Sequence, residues 1–175
     1  GALQRIITAL GTLEVRGLVT LGPAMAGEPF DLPANVVTVP SAPHAQVFPH
    51  AAAVITHAGH GTVMRALANG VPLLCLPMGR DQDDNAARAV FRGAGLRLRP
   101  SASPSRIAAA VRRLLAEPGF REAAARLGRV IRDDVAEDRA VRELEAAGAE
   151  ARVEVQRQED DSCTGGRPPS PALSP

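Results

Sequence analysis

The chain has 175 residues, a formal net charge of +1 at pH 7, and neither tryptophan nor tyrosine. This near-neutral balance gives no electrostatic reason to expect a nucleic-acid partner, and no apolar run approaches the ~20 residues that an integral membrane segment needs. The length suits one domain with a sizeable core. Cys75 falls in an apolar run and Cys163 in a polar one, so we expect no disulfide bond and a cytoplasmic location.

The pattern of apolar residues and breakers predicts helices and strands in alternation along most of the chain. In chain order these are a helix at 3–13, strands at 15–21 and 36–39, a single turn at 43–49, a strand at 53–56, a helix at 62–69, a strand at 73–76, a helix at 83–92, a strand at 96–98, a helix that Ser103 or Ser105 caps and that ends at 116, and a helix from 118 to about 147. Short strands between helices indicate an α/β fold, in which helices cover both faces of a parallel sheet.

The last 26 residues differ from the rest of the chain. Residues 150–175 are polar, rich in proline and glycine, and lack apolar periodicity. Such a segment cannot bury enough apolar surface to offset its chain entropy. We therefore expect a domain at 1–149 and a disordered tail at 150–175.

The most informative segment is 56–85, THAGHGTVMRALANGVPLLCLPMGRDQDDN. A strand leads into a glycine turn that opens a helix, and such a turn presents backbone N–H groups at the positive end of a helix dipole, which favours a phosphate. His57 and Thr62 add side-chain donors at this turn. Asp81 and Gln82 follow the next strand, so we expect them in the same crevice, where open α/β sheets bind ligands. Asn85 is a candidate brace for the loop that carries Asp81 and Gln82.

Three motifs in this order, HxGxGT, GVPLLCLP and DQxxNA, resemble the donor-binding half of the two-domain inverting glycosyltransferases that use nucleotide sugars. The likeness is closest to bacterial enzymes of the macrolide glycosyltransferase type, relatives of the UDP-glycosyltransferases, and it covers roughly residues 13–146. It implies a Rossmann-like parallel sheet, the C-terminal half of the two-domain fold. It also implies that the N-terminal acceptor-binding domain, with the catalytic base, is missing here, so we expect this chain alone to be inactive. We further expect the sheet to lack the strand that the family places before the first helix, leaving an unpaired edge or slot near 15–21.

In the family, the glycine turn binds the donor diphosphate. The resemblance assigns this role to His57, Gly59, Gly61 and Thr62. The residues themselves leave alternatives: His57 caps the helix or fills a polar gap, the glycines supply a turn with positive φ, and Thr62 is the helix N-cap, alone or while also binding phosphate. His60 either faces the ligand or lies at the rim.

The resemblance assigns the hydroxyls of the donor sugar to Asp81 and Gln82. A carboxylate and an amide together supply acceptors and donors for a polyol. The alternative for Asp81, or for Asp83, is the N-cap of the following helix.

The nucleoside is assigned by the same resemblance to Ala42, through its backbone, and to His44. Plant relatives place an indole at the position of Ser41, glutamine at His44, and a ribose-binding glutamate at Arg65. Because of these departures, Arg65 is only a possible contact to the donor, and a solvated loop residue is the alternative for His44. The choice between a UDP-sugar and a dTDP-sugar stays open.

Other chemistries find less support in the sequence. The histidines and aspartates of this region can be drawn as a metal site, but His57 and His60 lie three residues apart across a glycine turn and do not share a helix face. There is no GxSxG or GxxxxGK[ST] motif for a hydrolase or an NTPase. The resemblance implies inverting displacement at the anomeric carbon with no metal and no cofactor, the nucleotide sugar being a co-substrate. A non-catalytic nucleotide-sugar-binding domain and a sugar-nucleotide epimerase remain alternatives.

Overall fold

Helices and strands alternate along most of the chain in the computed structural model, which describes residues 1–25, 27–137 and 141–148. The helices are α1 Ala2–Gly11, α2 His44–Val47, α3 His60–Ala68, α4 Gln82–Phe91, α5 Pro104–Ala116 and α6 Pro118–Ala136. The strands are β1 Gly17–Thr20, β2 Val36–Val39, β3 Val54–Thr56, β4 Leu73–Cys75 and β5 Gly95–Arg97, and single turns of 3-10 helix lie at Pro23–Met25 and Phe48–His50. The predicted α/β class is confirmed.

The chain divides into two units, Gly1–Asp133 and Asp134–Pro175. The first unit contains all five strands. In the second unit residues 141–148 are helical, so the single helix predicted from 118 to about 147 is wrong in its extent, because α6 ends at Ala136. The predicted disordered tail at 150–175 lies outside the described residues, and the domain boundary at residue 149 stays a prediction.

All strand pairs are parallel, as predicted, but the strands form two sheets. One sheet pairs β1 with β2, and the other has the order β3-β4-β5. Within the described part of the chain, the edge of β1 that faces away from β2 has no strand partner. Residues 2–11 form a helix and do not fill that edge, which agrees with the unpaired edge expected near 15–21.

Strand β4 explains why the run VPLLCLP is apolar at every position. Successive strand side chains point to opposite faces, and here both faces are covered by helices. Leu73 and Cys75 belong to a core with residues of α3, α4 and α6, whereas Leu74 and Leu76 belong to a core with residues of α1 and α5. Helix α1 also packs Ile7 against Val19 and Val36 of the two-stranded sheet, so it contacts both sheets.

Local signals determine where the flanking helices begin. Ser103, not Ser105, is the N-cap of α5, and its hydroxyl accepts a hydrogen bond from the Arg106 N–H at 3.4 Å. Asp83 and Asp84 lie in the first turn of α4, where the helix dipole favours acidic residues. None of the described helices is long and apolar enough to cross a bilayer.

Candidate functional site

The carboxyl ends of β3 and β4 bring the two predicted halves of the site together. Thr56 and Cys75 are paired at the ends of these strands, and the Leu76 N–H donates to the Thr56 carbonyl at 2.8 Å. The segments that follow, 57–61 and 77–82, therefore leave the sheet at the same edge. This is the edge at which open α/β sheets bind ligands.

The turn between β3 and α3 is built around Ala58. This residue is completely buried and has φ = 69°, which is uncommon for a residue with a side chain. Its N–H donates to Thr56 Oγ1 at 3.1 Å, and its carbonyl accepts from Asn85 Nδ2 at 3.1 Å. Two buried side chains thus fix the backbone of the turn. Asn85 therefore bonds to this turn as well as to Asp81, in the loop that it is predicted to brace.

His57 is exposed and lies over Gly59. A Cβ built on Gly59 would lie only 2.6 Å from His57 Nε2, whereas a Cβ on Gly61 would meet no atom within 4 Å. Gly59 has φ = −61°, and Gly61 is not among the residues with positive φ. The positive-φ alternative for these two glycines is therefore wrong: Gly59 makes room for an imidazole, and Gly61 faces open space.

Helix α3 begins at His60 with Gly59 as its N-cap, and no side chain caps it. The N-cap alternative for Thr62 is wrong, because the chain is already helical two residues earlier. The Thr62 N–H donates to the Gly59 carbonyl at 3.1 Å, so Thr62 can offer a ligand only its hydroxyl. His57 makes no hydrogen bond within the described residues and does not cap the helix either.

Backbone donors remain at this helix terminus. Among the described residues, the N–H groups of His60 and Gly61 have no partner, as expected for the first turn of a helix. His60 itself is exposed at this rim. The first turn of α3 thus offers two free N–H groups next to open space at Gly61, which suits an anion.

Asp81 and Gln82 lie where α4 begins, in the segment that follows β4. Asp81 is at the N-cap position but its side chain accepts no hydrogen bond from the helix backbone; its Oδ2 accepts from Asn85 Nδ2 at 2.8 Å instead. Gln82 Oε1 accepts from the Met78 N–H at 2.8 Å, which fixes its amide and leaves Nε2 available. Asp83 pairs with Arg97 and does not cap the helix. Asp81 therefore occupies the N-cap position that the alternative predicted, but its side chain does not form the capping hydrogen bond.

The region predicted to hold the nucleoside lies just before β3. Ala42 is half-buried in the loop before α2 and makes no hydrogen bond with the described residues. The His44 ring stacks on Phe48, with 4.5 Å between ring centroids and 17° between planes. His44 Nδ1 is buried without a partner among the described residues. The solvated-loop alternative for His44 is therefore wrong. Arg65 is exposed on α3.

Two further features bear on the alternatives. Within the described part of the chain, no three His, Cys, Asp or Glu side chains group closely enough to share a metal ion. A groove of about 460 Å³ between α5 and α6, lined by Leu114, Pro118 and Arg121 among others, contains none of the predicted site residues.

These elements define a class of protein: a parallel α/β domain whose strand ends present free N–H groups opposite a carboxylate and an amide. Residues 4–147 match the family described as erythromycin biosynthesis protein CIII-like, C-terminal domain. The chain belongs to this family.

Individual relatives agree with this assignment. The chain is 40% identical to 4'-demethylrebeccamycin synthase of Lentzea aerocolonigenes over 122 residues, which cover 69% of this chain and 28% of that protein. Among solved structures, it superposes on the spinosyn forosaminyltransferase SpnP with a TM-score of 0.76 and 30% identity, over 84% of this chain and 38% of that one. It superposes on the glycosyltransferase VinC in complex with dTDP with a TM-score of 0.67 and 33% identity, over 74% and 33% of the two chains. The chain thus spans under two fifths of the length of each of these relatives.

Proposed function

We propose that this chain is the donor-binding domain of a glycosyltransferase that moves a sugar from a UDP- or dTDP-sugar to a hydroxyl of a small-molecule acceptor, with inversion. One observation carries the proposal: the turn at 57–61, with its free N–H groups, lies at the same sheet edge as Asp81 and Gln82, and Asn85 bonds to both sides. Relatives such as the elloramycin glycosyltransferase ElmGT and the TDP-daunosamine transferase DnrS support the reaction class.

The donor diphosphate is assigned to the N-terminus of α3. The N–H groups of His60 and Gly61 and the hydroxyl of Thr62 are the donors of this first turn, and Gly61 adds no side chain that would keep a phosphate away. His57 supplies a further N–H donor. The backbone N–H groups belong to the helix before the ligand arrives, so they stabilise the charge that develops on the leaving diphosphate without having to reorganise. The proposed scheme uses no metal ion and no cofactor.

The sugar is assigned to Asp81 and Gln82. Asp81 keeps one carboxylate oxygen free of hydrogen bonds within the described residues, and the Gln82 amide keeps its NH₂. One group accepts and the other donates, which is the combination that sugar hydroxyls require. The nucleoside then extends toward Ala42 and the His44–Phe48 stack.

The reaction is a direct displacement at the anomeric carbon. The acceptor oxygen forms a bond to that carbon as the bond to the diphosphate oxygen breaks, and a base takes the acceptor's proton. The base and the acceptor pocket are assigned to a further, N-terminal domain. The described residues position the donor and receive the leaving group.

Calorimetric titration of the chain with dTDP, UDP and AMP tests the diphosphate assignment. We expect both diphosphates to bind and AMP to bind much more weakly. His57→Ala removes one hydrogen bond of about 1–3 kcal/mol and is expected to weaken diphosphate binding about 5- to 150-fold. His50→Ala is the matched control, because His50 is also exposed but precedes β3 instead of following it. Equal losses in the two variants, or no binding of diphosphates, would reject the assignment.

A further inference from the structure

Asn85 is a buried polar residue on a helix face that otherwise packs against the core. Asn85 is only 8% exposed, and its buried neighbours on α4 are Ala86 and Ala89. A buried amide at such a position is costly unless its hydrogen bonds are satisfied. Its Nδ2 has two hydrogens, and the structure gives this atom two acceptors, the Ala58 carbonyl at 3.1 Å and Asp81 Oδ2 at 2.8 Å.

The bond to Ala58 supports the turn in its uncommon conformation. Because Ala58 is completely buried, its carbonyl would be left without a partner if Asn85 lost its donor. The N–H of the same residue is already held by Thr56 Oγ1. A non-glycine residue in the left-handed region persists only where its surroundings over-determine it, and Asn85 is one of the two side chains that do so here.

The bond to Asp81 acts at the beginning of α4. It leaves one carboxylate oxygen for a ligand and restricts the rotation of an otherwise exposed side chain. A single NH₂ group therefore joins the loop that follows β3 to the residue that opens α4.

From this arrangement we infer that Asn85 is a positioning residue, which sets the distance and direction between the diphosphate turn and the sugar-binding carboxylate. The inference rests on the proposed function for the identity of the two subsites. Asn85 touches neither part of the ligand and acts through Ala58 and Asp81. Its effect is therefore on how well one nucleotide sugar can satisfy both subsites at once.

The test compares two ligands, because the ratio of their dissociation constants isolates the sugar. Titrations use dTDP and dTDP-glucose, with UDP and UDP-glucose in parallel. Asn85→Asp keeps the shape but puts a third acceptor between Asp81 and the Ala58 carbonyl. Asn85→Ser keeps one donor and serves if the first variant does not fold. We expect the ratio of the dissociation constant of the bare diphosphate to that of the nucleotide sugar to fall about 5-fold or more in either variant.

Two additional arms separate positioning from a general loss of stability. In an Asp81→Ala background, Asn85→Ser should reduce the sugar's contribution no further, because its effect passes through Asp81. Without any ligand, hydrogen exchange of the Ala58 amide, whose N–H is bonded to Thr56 Oγ1, should become about tenfold faster or more in Asn85→Ser, as the turn opens more often. Asn69→Ala is the matched control: it removes a 2.8 Å bond from an asparagine amide to a backbone carbonyl at the other end of α3.

Each result decides the inference. A lower melting temperature with an unchanged ratio of dissociation constants, additive losses in the double variant, or unchanged exchange of the Ala58 amide would overturn it. If the wild-type chain binds neither nucleotide, the proposed function is rejected, and the exchange arm then decides by itself whether Asn85 holds the Ala58 turn.

Discussion

At the scale of single residues, the glycine turn shows which assignments sequence can support. The residue types at 57, 59, 61, 81 and 82 predicted a polar crevice at the strand ends, and the structure places all five in the segments that follow β3 and β4 at one edge of the sheet. Ala58 carried no signal, because alanine gives no reason to expect φ = 69°. Thr62 misled because threonine is a good N-cap, whereas the helix begins as soon as Gly59 turns the chain.

Gly61 offers a test in which stability and binding should move in opposite directions. It is the second residue of α3, and a Cβ there would meet no atom, so Gly61→Ala should leave the fold intact and raise the free energy of unfolding by about 0.5–1 kcal/mol. The same methyl group would occupy the space assigned to phosphate, so affinity for dTDP or UDP should fall about 5- to 150-fold. Urea unfolding and calorimetry measure the two quantities.

Gly119→Ala is the matched control for this substitution. Gly119 is also the second residue of a helix, α6, and also faces open space. It should show the same change in stability and no change in affinity. Unchanged diphosphate binding in Gly61→Ala would mean that the phosphate does not approach this turn.

At the scale of elements, strand β4 was the most predictable part of the fold. Its continuous apolar sequence required cover on both faces, and it lies at the centre of the three-stranded sheet between two cores. The ends of helices were less predictable, since α3 begins at His60 and α6 ends at Ala136. Helix ends depend on local backbone geometry and tertiary contacts, which residue preferences alone determine weakly.

Because Cys75 is buried in β4, the free energy of unfolding is expected to fall with rising pH in the alkaline range. Burial raises the pKa of the Cys75 thiol from 9.0 to about 11, with the Arg97 charge opposing the shift. Between these values the unfolded chain loses its proton while the folded chain keeps it, so stability is full below about pH 9 and falls as the pH rises toward 11. Two pH units at about 1.4 kcal/mol each give a loss of about 2–3 kcal/mol.

This chain is well suited to that measurement because it contains no lysine and no tyrosine. In a Cys163→Ser background, the free energy of unfolding in urea should fall between pH 9 and 11. In Cys163→Ser/Cys75→Ala it should be nearly constant over the same range, although lower throughout because of the cavity. Parallel curves for the two proteins would show that Cys75 is not the titrating group.

At the scale of the whole molecule, the alternation of elements predicted a parallel α/β fold, and three motifs in order predicted the family. Periodicity could not show that the strands form two separate sheets, because pairing depends on contacts distant in sequence. The expected unpaired edge near β1 came from the family resemblance and not from the pattern of the chain itself. The chain matches 28% of 4'-demethylrebeccamycin synthase, and the proposal assigns the acceptor pocket and the base to a part that this chain does not match.

The purified chain should therefore transfer no sugar. Incubated with radiolabelled UDP- or dTDP-sugars and a panel of hydroxylated acceptors, it should release no more label than reactions without acceptor. The reason is the proposed division of roles, in which the described residues position the donor and a further domain supplies the base and the acceptor pocket. Acceptor-dependent product would contradict the division of roles between two domains.

The assignment of the two subsites is most directly tested by Asp81→Ala, titrated with both a nucleoside diphosphate and the matching nucleotide sugar. Asp84→Ala, which removes another exposed first-turn carboxylate of α4, is the control. Since the Asp81 carboxylate is assigned to the sugar and the Asn85–Ala58 bond survives the substitution, binding of the nucleotide sugar should weaken about 10-fold or more, while binding of the bare diphosphate stays nearly unchanged. Equal losses for both ligands, or equal effects of Asp81→Ala and Asp84→Ala, would contradict it.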